Sequence, residues 1–234
     1  MYSRALNGKT LTFGVSGKLW KNALVMYDRE TRTLWSHLTG EALSGPLSGQ
    51  TLEMVSSPPR IAWKDWKGQY PESLVLSVGS NEDLKRDVYE GYHASQKTGL
   101  FEPGLIDNRV GNKELVIGVR LESHRKAYPL RKSFWEGIGN GRLIQDSIGN
   151  VPVLIYHNPE SYFTVVYDRR QGKDLQYEFK EQPTGIFAKD SNGELWNLLT
   201  GEGPSGIVLH FIPHVNIYWF AWVDFYPETI LYTP

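Results

Sequence analysis

The stretch Leu34–Gly45 reads LWSHLTGEALSG, and it returns later in the chain as Leu195–Gly206, LWNLLTGEGPSG. The two stretches lie 161 residues apart, and 8 of their 12 aligned positions are identical. Self-similarity of this length within a chain of 234 residues is typical of duplicated structural units. We therefore interpret the chain as two tandem, internally duplicated units.

Further matches flank this repeat on both sides and keep the same order along the chain, which favours duplication over chance similarity. The matched pairs are Tyr2-Ser3-Arg4 with Tyr167-Asp168-Arg169, Ala62–Trp66 with Ala221–Phe225, and Tyr70–Ser73 with Tyr226–Thr229. The matches place the first unit in residues 1–78 and the second in residues 114–234, with residues 79–113 as the connecting segment.

The first unit is expected to be incomplete. The stretch Leu105–Val166 precedes the matched part of the second unit and has no counterpart in the first. A unit without these strands would leave open sheet edges that need covering. We expect the natural protein to continue upstream of Met1; the alternative is a reduced first unit that borrows its missing strands.

Alternating and β-branched runs bounded by Gly-containing turns such as Asn7-Gly8 predict a mainly β fold with a few short helices. The stretch Ile207–Phe225 is apolar but carries polar residues, and we interpret it as two strands with a break at Pro213. The predicted strands include Lys9–Val15, Ala23–Tyr27, Leu74–Val78, Glu114–Leu121, Val151–Tyr156, Tyr162–Tyr167, Asp174–Phe179 and, before Pro213, Ile207–Ile212.

Two short helices are predicted. Ser80 and Asp83 resemble a capping box before an apolar face formed by Leu84, Val88 and Tyr92. Pro129 is expected in the first turn of a second helix, which passes through Phe134-Trp135 and ends by Gly139-Asn140-Gly141.

The composition limits the classes of function. Lys and Arg total 25 and Asp and Glu 26, so the chain lacks the basic excess expected of a nucleic-acid-binding protein. There is no cysteine, which excludes disulfides, thiolate nucleophiles and thiolate metal sites within these residues. No signal peptide opens the chain, and no stretch is apolar enough to predict a transmembrane helix.

Residues that occur in only one unit are the better candidates for a site, because a structural residue is needed in both. His37 has Leu198 at its matched position. The loop Tyr156–Tyr162 offers the imidazole of His157 beside the carboxylate of Glu160, a pair suited to acid–base chemistry or to a polar loop.

The charged turn Asp28-Arg29-Glu30 and the indole of Trp135 complete the ligand-binding candidates. His210 and His214 have a metal-like spacing, but four residues of strand would separate them by roughly 13 Å. No metal site is therefore predicted, no cofactor is assigned, and the residues leave catalysis undecided.

Several motifs resemble domain-of-unknown-function family 3179, an uncharacterised bacterial and archaeal family, over nearly the whole chain. They are Leu11–Gly17, Leu24–Thr31, Leu34-Trp35, Thr39–Ala42, Gly45–Leu47, Ala127–Arg131, Trp135, Val151–Val153, Tyr167–Arg169, Trp219–Trp222 and Phe225–Thr229. The resemblance implies an extracytoplasmic, periplasmic or cell-surface location.

In that family the first unit is expected to carry a His after the Trp of the short helix and a C-P-L-C motif. The corresponding positions in the second unit here are Glu136 and the loop from His157 to Glu160, which lacks cysteines. Our leading hypothesis is a non-enzymatic extracytoplasmic binding domain for a small molecule or a protein. The alternatives are a fragment of a thiol- or metal-dependent redox enzyme whose site lies upstream of Met1, and a structural or assembly module.

Overall fold

The computed structural model describes residues 1–55, 61–77, 88–131, 134–135, 143–172, 175–182 and 185–233. Strands dominate these residues, and the α-helices among them are short, so the prediction of a mainly β fold is confirmed. The strands are β1 (Ala5–Leu6), β2 (Lys9–Thr10), β3 (Phe13–Trp20), β4 (Ala23–Asp28), β5 (Leu34–Ser36), β6 (Ala42–Ser44), β7 (Leu115–Leu121), β8 (His124–Pro129), β9 (Leu143–Ile148), β10 (Val151–His157), β11 (Thr164–Asp168), β12 (Tyr177–Gln182), β13 (Gly185–Asp190), β14 (Leu195–Asn197), β15 (His210–Phe211), β16 (His214–Tyr218) and β17 (Ile230–Leu231). The helices are α1 (Trp63–Gln69), α2 (Glu90–Ala94) and α3 (Trp219–Phe225).

The N-terminal part of the chain folds into small antiparallel sheets. Strands β1 and β2 form a hairpin whose turn residues, Asn7 and Gly8, both have positive φ, as the Asn-Gly pair predicts. Strands β3, β4, β5 and β6 follow as an antiparallel sheet in chain order. Its core contains the fully buried Trp35 with Leu11 and Leu52.

A sheet in the C-terminal part is buried on both faces. Its strand order is β15-β11-β10-β9. Val153, Ile155 and Val166 belong to the core shared with β7 and β8, whereas Leu154 and Tyr156 belong to the core shared with the β12-β13-β14 sheet. Because alternate side chains of a strand point to opposite faces, the nearly continuous apolar run of β10 fits this position between two layers.

The two parts of the chain contact each other through the β3–β4 turn. The ring of Trp20 packs edge-on against Phe225 of α3, with 5.0 Å between centroids. The Lys21 Nζ donates to the backbone oxygen of Asp224. The side chain of Asn22 both donates to the backbone oxygen of Phe101 and accepts from its N–H, at 3.0 Å each. These contacts place β4 beside the C-terminal sheets.

The stretch Ile207–Phe225 differs from its prediction in part. Strands β15 and β16 lie on either side of Pro213, as expected, but β15 contains only His210 and Phe211. The residues from Trp219 onward form α3 instead of continuing a strand. Apolar residues on every side fit a buried helix as well as a buried strand, so periodicity alone does not separate the two.

Other predicted elements also differ. The strand predicted over Leu74–Val78 is absent from the described residues 74–77, which are largely exposed. Pro129 is the last residue of β8, paired with Val116, rather than the start of a helix. Because β17 pairs with β8 only at Lys126 and Ala127, Pro129 lies beyond that pairing, where its lack of an N–H is tolerated.

Phe134 and Trp135 are helical, as predicted, but Glu136 and the expected helix end at Gly139-Asn140-Gly141 lie outside the described residues. The capping box of Ser80 and Asp83 and the position of Leu84 lie outside them as well.

Candidate functional site

A cleft of about 840 Å³ lies where the N-terminal sheet meets the C-terminal part of the chain. The N-terminal sheet contributes Asn22–Leu24 from the start of β4, and His37 from the residue after β5. Helix α2, the start of β7, the end of β8, strand β16 and helix α3 supply further walls, and the loop between β10 and β11 adds Pro159 and Tyr162. The cleft therefore unites residues that lie far apart in sequence.

Two hydrogen-bond acceptors lie buried in the walls of this cleft. Glu114 accepts one hydrogen bond through Oε2, from Arg131 at 3.3 Å, while its Oε1 is buried with no partner among the described residues. Asn216 donates through Nδ2 to the hydroxyl of Thr164 at 3.3 Å, and its Oδ1 is likewise buried and unpaired within the described part of the chain. Buried polar atoms normally have partners, so both oxygens suit a ligand that donates hydrogen bonds.

The electrostatics of Glu114 follow from its burial. Burial raises the pKa of this carboxyl, because the charged form loses hydration, and the nearby guanidinium of Arg131 opposes that shift. The side chain of Arg131 is about half exposed, so its stabilisation of the carboxylate is screened by solvent. A donor or cation that reaches Oε1 would offset part of the desolvation cost.

His37 adds a third acceptor to the cleft. Its Nδ1 lies 2.8 Å from the backbone oxygen of Leu24. Since a carbonyl oxygen only accepts, Nδ1 carries the proton, and Nε2 of the neutral ring is then an acceptor. Of the sequence candidates, His37 is the one that the structure places among the residues of the cleft.

Aromatic rings form an apolar wall of the cleft. Tyr218 stacks on Phe220 with 5.9 Å between centroids and meets Tyr92 edge-on at 6.1 Å. The Lys113 ammonium lies 3.7 Å from the centre of the Tyr92 ring and donates to the backbone oxygens of Tyr92 and Ser95. The protein thus already holds this ammonium, whereas the guanidinium of Arg131 in the same cleft is about half exposed.

The charged turn after β4 has a structural role. Asp28 is fully buried and accepts hydrogen bonds from the indole of Trp35 at 2.9 Å and from the hydroxyl of Thr31 at 2.9 Å. Burial raises the pKa of Asp28, but these hydrogen bonds outweigh it, so the pKa lies below its ordinary value. Glu30 accepts from the backbone N–H of Thr12 at 2.8 Å, which fastens the turn to the strand before it.

Arg29 is exposed in the same turn and donates through Nη1 to the hydroxyl of Tyr27 at 3.3 Å. Its guanidinium lies 5.7 Å from the centre of the Tyr27 ring, so the side chain covers that ring.

The structure separates the candidates of the β10–β11 region by burial. His157 is fully buried, 3.1 Å from the hydroxyl of Thr164, and its ring packs against Trp135 at 5.1 Å. Trp135 is also fully buried and donates to the backbone oxygen of Pro129 at 2.8 Å. Glu160, by contrast, is exposed to solvent. The three residues therefore differ in their access to a ligand.

The histidines with metal-like spacing also differ in their surroundings. His214 lies 3.0 Å from the backbone oxygen of Ile212 and 3.2 Å from that of Thr164, whereas His210 is exposed. Burial lowers the pKa of His214, which favours its neutral ring. Within the described ranges, no three His, Asp or Glu side chains come together as metal ligands.

Neither Glu114 nor Asn216 stands out in the sequence as a site residue. Glu114 opens the predicted strand Glu114–Leu121, and Asn216 is one of the polar interruptions in the apolar stretch Ile207–Phe225. A polar residue inside an otherwise buried run was the available signal for Asn216, because such a residue needs a partner.

These features define a mainly β protein with an aromatic cleft, whose described walls contain two buried oxygens without a hydrogen-bond partner. The family model described as "Protein of unknown function (DUF3179)" matches residues 1–229, and the chain belongs to this family. Comparison with curated proteins and with solved structures gives no match. Among the described helices, none has the length and hydropathy needed to cross a bilayer.

Proposed function

We propose that this protein is a non-enzymatic binding domain that holds a small polar ligand in the cleft. The observation that carries the proposal is the pair of buried, unpartnered acceptors, Glu114 Oε1 and Asn216 Oδ1, in the walls of a cavity of ligand size. Nε2 of His37 adds acceptor capacity. The ligand is therefore a hydrogen-bond donor, either a hydroxyl-rich sugar or a primary amine.

The aromatic wall supports the same ligand classes. Sugars present C–H faces that pack on aromatic rings, and ammonium groups are attracted to the faces of such rings. Tyr92 and Tyr218 line the cleft beside the acceptors, and Lys113 already covers one face of Tyr92.

The test is equilibrium binding by titration calorimetry, with a panel of mono- and disaccharides and a panel of primary amines. Glu114→Gln keeps the size of the side chain and removes its charge, and it should weaken binding by about 10- to 100-fold, the effect of one charge-assisted hydrogen bond. Glu194→Gln, at an exposed site, is the matched control and should leave the Kd unchanged. Null results for both panels, or equal Kd values for both variants, would refute the proposal.

The extracytoplasmic location belongs to the same proposal and is supported by the family resemblance. Fractionation of a native host that expresses the protein measures it directly. Recovery with the periplasmic or surface fraction is expected, and recovery with the cytoplasm would contradict this part of the proposal.

A further inference from the structure

Two short helices in different parts of the chain have nearly the same backbone geometry at both ends. Helix α1 follows Ala62, with φ −64° and ψ 142°, and α3 follows Tyr218, with φ −65° and ψ 141°. Helix α1 ends at Tyr70, with φ −130° and ψ 74°, and α3 ends at Tyr226, with φ −133° and ψ 72°. Each helix contains seven residues.

The side-chain contacts of the two helices also correspond. The indole of Trp66 donates to the hydroxyl of Ser73 at 2.8 Å, and the indole of Trp222 donates to the hydroxyl of Thr229 at 2.9 Å. These contacts align Trp66 with Trp222. The sequence match aligns Trp222 with Trp63 instead, so the two alignments differ by three residues. They support the interpretation that the helix and the chain after it are copies of one structural element.

In the C-terminal copy, this element covers a β-hairpin. Trp219 and Trp222 are fully buried and pack with Val116 of β7 and Ala127 of β8. Gly118 of β7 leaves room for the Trp222 ring, since a Cβ at that glycine would lie 2.4 Å from it. Strand β17, which follows α3, pairs in parallel with β8. The hairpin β7–β8 thus buries the helix and pairs with the strand after it, in which Ile230 is still 55% exposed.

In the N-terminal copy, the corresponding surface is exposed. Trp63, at the position of Trp219, is 48% exposed, and no residue of α1 is buried. Leu74 and Val75, at the positions of Ile230 and Leu231, are 98% and 66% exposed. Leu76 next to them is 88% exposed. Leu74, Val75 and Leu76 are consecutive, and exposed apolar side chains that adjoin one another mark an interaction surface.

We propose that this surface, formed by Trp63, Leu74, Val75 and Leu76 and called here the α1 face, docks a β-hairpin with the pattern of β7–β8. The partner hairpin is antiparallel and apolar on one face, with a glycine in its first strand that admits the indole of Trp66. The open edge of its second strand pairs in parallel with residues 74–75, as β8 pairs with β17. The partner is polypeptide, and the backbone hydrogen bonds of an added strand hold it.

The experiment uses the absence of cysteine from the chain, which makes Leu76→Cys a single thiol reporter. A second copy of residues 105–166 is joined before Met1 by a flexible Gly/Ser linker, and the rate of thiol reaction with Ellman's reagent is measured. The fused hairpin should slow that rate by about tenfold or more, because docking removes the thiol from solvent. Leu100→Cys, 75% exposed outside the α1 face, should react equally fast with and without the fusion.

In the matched control, the fused copy of residues 105–166 has valine in place of its own copy of Gly118. The added side chain would then meet the Trp66 ring. Protection of Leu76→Cys by the glycine fusion but not by the valine fusion supports the proposal. Equal rates in the fused and unfused chains overturn it. Protection of the unfused chain that grows with protein concentration would identify a second copy as the occupant and overturn it as well.

If the fused chain aggregates, a second experiment uses the unfused Leu76→Cys chain. It is titrated with a synthetic peptide of residues 113–131, and the rate of thiol reaction is measured. Isolated hairpins are marginally stable, so the titration extends to millimolar peptide. Saturable protection supports docking, and an unchanged rate throughout overturns it.

Discussion

Replacing Gly118 with alanine is expected to destabilise the C-terminal part of the fold. The glycine lies in β7, beneath the fully buried ring of Trp222. A Cβ at this position would lie 2.4 Å from two ring atoms, whereas carbon atoms in contact are about 3.5–4.0 Å apart. The ring must therefore move by about 1 Å or more.

The surroundings of Trp222 resist that movement. Its indole donates to the hydroxyl of Thr229, and it packs with Trp219 and Val116 in the same core. Overpacking of a core costs about 1–3 kcal/mol, and loss of the indole hydrogen bond adds about 1 kcal/mol. The lower backbone entropy of alanine in the unfolded chain returns about 0.5–1 kcal/mol, which leaves a net loss of about 1–3 kcal/mol.

Thermal unfolding followed by circular dichroism measures this loss as a fall in Tm of roughly 2–12 °C for a chain of this size. Gly111→Ala is the matched control, because no atom lies within 4 Å of a Cβ built there. Equal unfolding temperatures for Gly118→Ala and Gly111→Ala would contradict this prediction, since the close approach of the ring would then have no energetic consequence.

Three further outcomes are expected. Asp28→Asn places an amide beside the indole N–H of Trp35 and should cost about 1–3 kcal/mol in urea unfolding. Because the folded pKa of Asp28 is lowered, its stabilising contribution is present above the unfolded value of about 3.9 and is lost as the pH falls through the folded pKa; the variant should lack this part of the acid dependence. Calorimetry at decreasing pH should show amine binding in the cleft weaken already at a pH above about 4.3, the ordinary pKa of glutamate. The reason is that the pKa of Glu114 is raised, and protonation removes its charge. Trp219→Ala should cost about 3–5 kcal/mol and Trp63→Ala about 0.5 kcal/mol or less, as the first indole is buried and the second half exposed; equal losses by thermal unfolding would contradict these environments.

The local pattern was sufficient for many strands. Glu114–Leu121 and Val151–Tyr156 read as β-rich runs in the sequence and form β7 and β10. The Asn7-Gly8 pair predicted a two-residue turn, and both residues adopt the positive φ that such a turn requires. These signals are local, because alternation and turn chemistry act over a few neighbouring residues.

Elements that depend on distant partners were not predictable in the same way. Leu74–Val78 and Ile230-Leu231 are both apolar, yet residues 74–77 form no strand, while Ile230 and Leu231 pair with β8. Ile230 and Leu231 lie beside the edge of β8, whereas no strand among the described residues pairs with residues 74–77. Trp219–Phe225 forms a helix whose apolar side chains are buried against β7 and β8, and periodicity alone does not separate such a helix from a buried strand.

The mainly β character, many of the strands and the candidate His37 could be predicted from the chain, since they follow from local periodicity and from comparison of the two matching stretches. The shared cleft of His37, Glu114 and Asn216, and the structural contacts of Asp28 and Trp135, became visible only in the folded protein. Burial and hydrogen-bond satisfaction arise when distant segments pack together, so no local pattern in the chain carries them.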